Sequence, residues 1–389
     1  MLADAGRYLA PLTGLRFLAA LHVVLFHLRD PYLVGAPLGL WTIAGQGETA
    51  VGLFFLLSGF VLAHTYMPAA GTVRISRRAF WAARFARIYP VYALSLLLAL
   101  PDFLDLDRAS RLKLVLVVPT MLQAWLPALA YQWNGLTWSL STEAFFYLLF
   151  PVIAVPLARL RGRALAAAMA TCWVLALAAP VLSQLLGLDR VWAGSVMQSA
   201  RWMTYNPLLR LPEFALGVLL ARLFLATRGP SRRRWVGPTL ATLGATGLLA
   251  AFAITPFLPP PIVSNGLLAP IDGALLIGLA LGGPGLAWLL SRRLLVLLGE
   301  ASYAMYLLHG PLLGGIGRLV DARPQLQPYV QTTWFLGVFL IVLVGLSLLT
   351  FVVVERPARG ALRRWLSNSP AHNSTAVASL TTLRGRSAG

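Results

Sequence analysis

The chain has 389 residues, of which 58% are apolar and only 12% charged, and its formal net charge is +19. Soluble domains carry about twice that charged share, so a soluble globular domain is excluded. The cations lie in short connections between apolar runs, as in the cytoplasmic loops of membrane proteins, which excludes a nucleic-acid binder; the single cysteine, Cys172, excludes a disulfide framework and a cysteine-rich metal site.

Apolar runs near the ~20-residue length of a bilayer span predict crossings near 11–28, 48–67, 89–106, 138–158, 164–185, 207–226, 236–255, 267–290, 294–314 and 332–354. The expected fold class is all-α: a polytopic membrane helix bundle of about ten transmembrane helices. The first run, PLTGLRFLAALHVVLFHL, carries Arg16 and His27. Arg at membrane depth costs on the order of 3 kcal/mol and persists where it faces a polar cavity. The two residues are separated by about three helical turns, or about 16 Å, so they share one face. Arg16, His22 and His27 also argue against a signal peptide. An imidazole titrates near neutrality and suits a general base. A buried histidine bonded to a neighbouring carbonyl is the bland alternative, and Arg16 on the same stripe favours function.

The second run, GLFFLLSGFVL, offers Ser58 and Gly59, small residues that let helices approach, with lining a passage as the alternative. Next comes AARFARIYPVY. Arg84 and Arg87 are neighbours on one helical face, and paired guanidiniums match phosphate geometry. A plain positive-inside anchor is the alternative, and Pro90 is expected to open the helix. The segment 112–129 is apolar enough to cross but holds Pro119, Gln123 and Pro127. It reads as re-entrant or interfacial; an eleventh crossing is the alternative. In NGLTWSLSTEAFFYLLFP, Ser139 and Glu143 face the same way. Glu143 either serves a polar site, orienting His27 or binding an acceptor, or is a helix N-terminal acid with Ser139 or Ser141 as cap. Glu213 is a further membrane acid, paired with Arg210. In GEASYAMYLLHGPLL, His309 lies deep in a span and either binds substrate or pairs with a carboxylate, while the tyrosines pack. His22 and His64 are weaker candidates. No His-Glu-x-x-His, nucleophile elbow or Walker loop is present, so no metal site is expected.

Basic clusters follow every second span: Arg74 to Arg87, Arg159 to Arg163, Arg228 to Arg234, Arg292 and Arg293, and Arg356 to Arg364. These loops and both termini are therefore expected in the cytoplasm. No internal repeat of the transporter kind is visible. A transmembrane domain at 8–366 and a disordered cytoplasmic tail at 367–389 complete the reading; the acceptor sequence at Asn373 is read as chance.

From about Leu12 to Pro357 the chain resembles the acyltransferase 3 family of integral membrane acyltransferases. TGLRFLAALHVVLFH resembles its Arg-x10-His helix, GLFFLLSGFVL its second-helix motif, RFARIYP its Arg-x-x-Arg loop and WSLSTEAFFYLLFP its Ser-xxx-Glu motif. RLPEFALGVLLA, LGEASYAMYLLHGPLL and the ERP near the end follow in family order. The resemblance implies a multi-pass inner (plasma) membrane enzyme. It would move an acyl group, usually acetyl, from acyl-CoA to a carbohydrate hydroxyl of a surface polysaccharide, glycolipid or glycosylated small molecule. Acyl-CoA is then a co-substrate and no resident cofactor is expected. The partners are acyl-CoA, the carbohydrate acceptor and the bilayer, with no nucleic acid. By the same resemblance His27 is catalytic with Arg16 as its motif partner, and Glu143 assists. Arg84 and Arg87 hold the phosphates of coenzyme A, and Ser139 and His309 contact substrate. General-base attack and an acyl-histidine intermediate are both open. One position departs: many members carry an Asp where this chain has Gly52, and Glu48 is the candidate replacement. The rival reading is a transporter or flippase using the same buried charges as a path.

Overall fold

The computed structural model describes residues 9–33, 37–67, 73, 76–187, 202–226 and 233–367. Of the expected tail at 367–389, Ser367 ends the last helix and the rest lies outside the described residues, as do the acceptor sequence at Asn373 and Arg74, Arg228 and Arg232.

No strand occurs among the described residues; the molecule is an all-α bundle. Its long helices are α1 (Ala10–Tyr32), α2 (Thr49–Tyr66), α3 (Arg77–Leu98), α4 (Trp138–Arg159), α5 (Gly162–Leu185), α6 (Pro207–Ala226), α7 (Arg233–Ile254), α8 (Ala269–Leu281), α9 (Arg293–Ala322) and α10 (Thr333–Thr350). A last helix, α11 (Arg356–Ser367), follows a wide turn at Phe351–Glu355. Among the described residues, 7 helical stretches are long and apolar enough to cross a membrane, on α1, α2, α4, α5, α7, α8 and α10. α3, α6 and α9 are equally long, but Arg84 and Arg87, Arg210 and Glu213, and Glu300 and His309 lower their apolar character. This is a multi-pass membrane protein.

α2 is among the most buried helices. Its most apolar window is 67% buried, against 17% for α5, so α2 is central and α5 faces lipid. α2 lies along α6 because both present glycine at the crossing. A Cβ on Gly59 would collide with the Phe214 carbonyl, and one on Gly217 with the Leu56 carbonyl. Without a hydrophobic drive between helices in lipid, such close backbone contact supplies the association. α1 packs on α9, α7 on α8, and α11 on α3.

Two expectations change. α3 begins at Arg77, a dozen residues before the predicted span, with Ser76 as its N-cap. The arginines do not end the helix, because their guanidiniums turn into a cavity, and the helix runs on through Pro90 rather than opening there. The run expected at 267–290 stops at Leu281. Gly282, Gly283 and Gly285 have positive φ (75°, 116° and 81°) and turn the chain before a short helix, Leu286–Leu290; only glycine adopts these values at little cost.

The segment 112–129 holds no continuous crossing helix. Arg108–Val117 is helical, with Asp107 capping the Ser110 N–H at 3.0 Å. The Ser110 hydroxyl first, and then this N–H, hold the exposed Asp107 carboxyl below its ordinary range. The chain then turns through Met121 at φ 58° into one short turn, Gln123–Trp125. Protein groups satisfy this irregular backbone, as the bilayer requires. Ser141 Oγ donates to the Met121 carbonyl at 2.5 Å and accepts from the Ala124 N–H at 3.2 Å. The fully buried Gln123 donates to Tyr92 Oη at 3.1 Å and to the Thr137 carbonyl at 2.9 Å.

Candidate active site

Two cavities meet inside the bundle. The first is basic, spans about 860 Å³ including its open mouth, and is lined by Arg16, Ser58, Arg84, Arg87, Ser139 and Glu143, among others. α1, α2, α3 and α4 each contribute. Three guanidiniums against one carboxylate leave the cavity strongly positive. Arg84 lies 5.8 Å from the ring centres of both Phe80 and Tyr147, so its charge is held by aromatic faces. Glu143 accepts hydrogen bonds from Ser58 Oγ at 3.0 Å and from Tyr147 Oη.

Glu143 is therefore no helix-terminal acid. α4 starts at Trp138, its first turn contains no acid, and neither Ser139 nor Ser141 caps it. Ser139 and Glu143 share a face, as their spacing predicts, and that face looks into the basic cavity. Ser139 Oγ bonds Tyr306 Oη at 2.8 Å and donates to the Leu136 carbonyl at 3.1 Å.

The second cavity, about 1010 Å³, is lined by His27, Glu48, Tyr131, Trp138, Tyr205 and Tyr306, among others. Val51 and Tyr306 line both cavities, so one wall separates the guanidiniums from the imidazole. A side chamber of about 500 Å³ shares His27, Tyr131 and Leu136 with the second cavity and adds His309. Arg16 and His27 thus face two different spaces from one helix, three turns apart.

The His27 Nδ1–H donates to the Val23 carbonyl at 2.9 Å, which leaves the Nε2 lone pair for chemistry. His309 Nε2 lies 3.3 Å from His27 Nδ1, and His309 Nδ1 lies 3.4 Å from the Met305 carbonyl. Both rings then carry their proton on Nδ1, and His27 Nδ1–H is shared between Val23 O and His309 Nε2. The two ring centres are 5.0 Å apart. His309 is fully buried behind His27 and pairs with it rather than with a carboxylate.

Beside the second cavity lies a buried ionic cluster. Arg210 and Glu213, 1% and 2% exposed, pair at 3.0 Å, as predicted. Arg210 also donates to Asn265 Oδ1 at 3.0 Å and to the Ser264 carbonyl. A Cβ on Gly52 would lie 2.9 Å from Glu213 Oε1, so the missing side chain leaves room for this pair. Glu48, one turn earlier on α2, is attracted to Arg210 and lines the His27 cavity. His22 Nε2–H donates to the Ile43 carbonyl at 2.7 Å, and His64 packs on Phe224 at 5.7 Å; neither lines the two cavities.

Tyr306, read as packing, forms the shared wall. Ser58 bonds Glu143 and lines the basic cavity, the second of the two roles its motif offered. Tyr147, four residues after Glu143, is the same-face donor that the spacing of α4 would have revealed.

A model of the acyltransferase 3 family, described as an acyltransferase domain, matches residues 10–352. The chain belongs to the acyltransferase 3 family. It is 34% identical to the acyltransferase MdmB of Streptomyces mycarofaciens over 77% of this chain and 78% of that one. It is 26% identical to the provisionally named peptidoglycan O-acetyltransferase YrhL of Bacillus subtilis, over 91% of this chain but only 55% of that one. A provisionally named O-acetyltransferase of Staphylococcus aureus is 24% identical over 91% of this chain and 58% of its own length. The chain thus spans little more than half of these last two relatives. No solved structure matches it. As a member of this family the protein is an integral membrane enzyme that transfers acyl groups, and the transporter reading gives way.

Proposed function

We propose that this enzyme transfers an acyl group, in the simplest case acetyl, from acyl-CoA to a carbohydrate hydroxyl, with His27 as general base. The observation that carries the reading is the pair of cavities meeting at Val51 and Tyr306, one lined by three guanidiniums and the other by the imidazole. Guanidiniums suit the phosphates of coenzyme A, a polyanion. The pantetheine arm is slender enough to follow the wall past Ser139 and Tyr306 toward His27. On this reading the basic cavity opens to the cytoplasm of a plasma-membrane protein, in line with the basic loops, and the imidazole cavity receives the acceptor from the other side.

The step balances without a further reactant. The acceptor oxygen attacks the thioester carbonyl carbon while His27 Nε2 takes the hydroxyl proton. The carbon–sulfur bond breaks, and the imidazolium returns that proton to the departing thiolate. His309 Nε2, beside the Nδ1–H, supports the charged ring. Such a base is worth about 10²–10⁴ in rate. The names of the O-acetyltransferase relatives support transfer to oxygen.

The test is direct. In proteoliposomes with acetyl-CoA and an acceptor extract, the wild type releases free thiol; His27→Ala inserts normally and does not. Arg87→Ala weakens coenzyme A binding about tenfold or more, the scale of one charge-assisted contact. Thiol release undiminished in His27→Ala would overturn the reading.

A further inference from the structure

The ERP near the end of the chain has no part in the site described so far. It begins where the wide turn at Phe351–Glu355 hands over to α11. Turns of this width inside helices are frequent at functional sites. Here the turn buries Glu355, whose side chain is 1% exposed and whose Oε2 has no hydrogen-bond partner. Glu355 is attracted to Arg359, then to Arg87 and Arg16, so it stands beside the basic cavity without lining it. Arg359, one turn further on, donates to Glu355 Oε1. That contact holds it close to Arg87 and Arg84, which repel it. Four guanidiniums, Arg16, Arg84, Arg87 and Arg359, thus share two carboxylates, Glu143 and Glu355. Neighbouring Glu300 pairs with Arg356 at 3.7 Å and leaves that positive surplus as it is. Like charges held side by side repel until an anion joins them. Arg359 has donors for one: its Nε has no partner, and its side chain is 32% exposed.

The cations also follow an order. Arg16 stands three turns from His27 on α1, Arg84 and Arg87 line the same basic cavity, and Arg359 lies beyond that lining on α11, which packs on α3. Coenzyme A has a matching order: thioester, pantetheine, diphosphate, and a ribose 3′-phosphate at the far end. We infer that Arg359, steadied by Glu355, receives the 3′-phosphate of coenzyme A while Arg84 and Arg87 hold its diphosphate. The inference rests on the proposed acyl-CoA reading and deepens it, because it makes the C-terminal helix part of the donor site. Glu355 is a positioning residue that fixes the guanidinium fork. Arg359 touches the donor far from the reacting carbon, so it acts on binding and not on the chemical step.

The full chain in nanodiscs of phosphatidylcholine, which carries no net charge, tests this by calorimetric titration with coenzyme A and with 3′-dephospho-coenzyme A. The wild type is expected to bind coenzyme A about tenfold or more tighter than the dephospho form. Glu355→Gln combined with Arg359→Gln removes both charges and strands neither. This double variant is expected to bind the dephospho form as the wild type does and to lose the preference. With acetyl-CoA its KM should rise about tenfold while kcat is retained. Arg359→Lys, which keeps the charge but not the planar fork, should lose part of the preference. Arg87→Ala should weaken both ligands and keep the preference. Equal binding of the two ligands by the wild type, or a full preference in both the double variant and Arg359→Lys, overturns the 3′-phosphate seat and leaves the acyl-CoA reading standing. Binding of neither ligand by the wild type overturns that reading itself.

Discussion

His27 gains its character from two contacts. Its Nδ1–H is fixed by the Val23 carbonyl one turn back, and His309 stands 3.3 Å behind it. The first contact is local and follows from helical geometry. The second joins residues 282 apart in the chain, and no spacing rule reaches that far. Replacing His309 by phenylalanine fills its volume but removes Nε2. We expect kcat to fall by about tenfold to a hundredfold, below the 10²–10⁴ loss expected for His27→Ala, with the KM for acyl-CoA unchanged; steady-state thiol release measures both. The Arg210–Glu213 pair belongs to the same scale. Removing one partner strands a buried charge, so Glu213→Ala should cost about 3–5 kcal/mol. Arg210→Met with Glu213→Met should recover much of that loss, read as thermal unfolding in detergent. This pair was visible in the chain, because residues three apart on a helix are neighbours.

At the scale of elements, the long apolar runs became helices as expected, and where they depart from the expected bounds each departure has its own cause. α3 extends into its basic stretch because Arg84 and Arg87 project into a cavity instead of marking a membrane edge. Segment 112–129 breaks at Val117 because Ser141 and Tyr92, from two other helices, satisfy a non-helical backbone at Val118, Met121 and Ala124, while Tyr92 Oη and the Thr137 carbonyl hold the Gln123 side chain. Gln123→Leu removes a donor shared by two buried acceptors. It should cost about 1–3 kcal/mol for each group left unsatisfied and make the segment an early target in limited proteolysis. At the α2–α6 crossing, Gly59→Val places carbon against the Phe214 carbonyl. Overpacking of this kind costs typically about 1–3 kcal/mol, and the yield of folded protein in detergent should fall.

At the scale of the molecule, the bundle keeps three guanidiniums and an imidazole in separate chambers that share one wall. The arrangement predicts sidedness. In a Cys172→Ser background, Ser58→Cys in the basic cavity should react with a membrane-impermeant thiol reagent added from the cytoplasmic side, and coenzyme A should protect it. Thr204→Cys in the imidazole cavity should react only from the opposite side. Labelling of both from one side would refute the partition.

Membrane class, the all-α architecture, the shared face of Ser139 and Glu143 and the pairing of Arg84 with Arg87 could all be read along the chain. Each depends on local periodicity or on the cost of charge in lipid, and both are written in neighbouring residues. The meeting of two cavities at Tyr306 and the histidine behind His27 could not. They arise where helices distant in sequence cross, at distances and angles set by glycine contacts and by the collective fit of side chains, which no stretch of sequence contains alone.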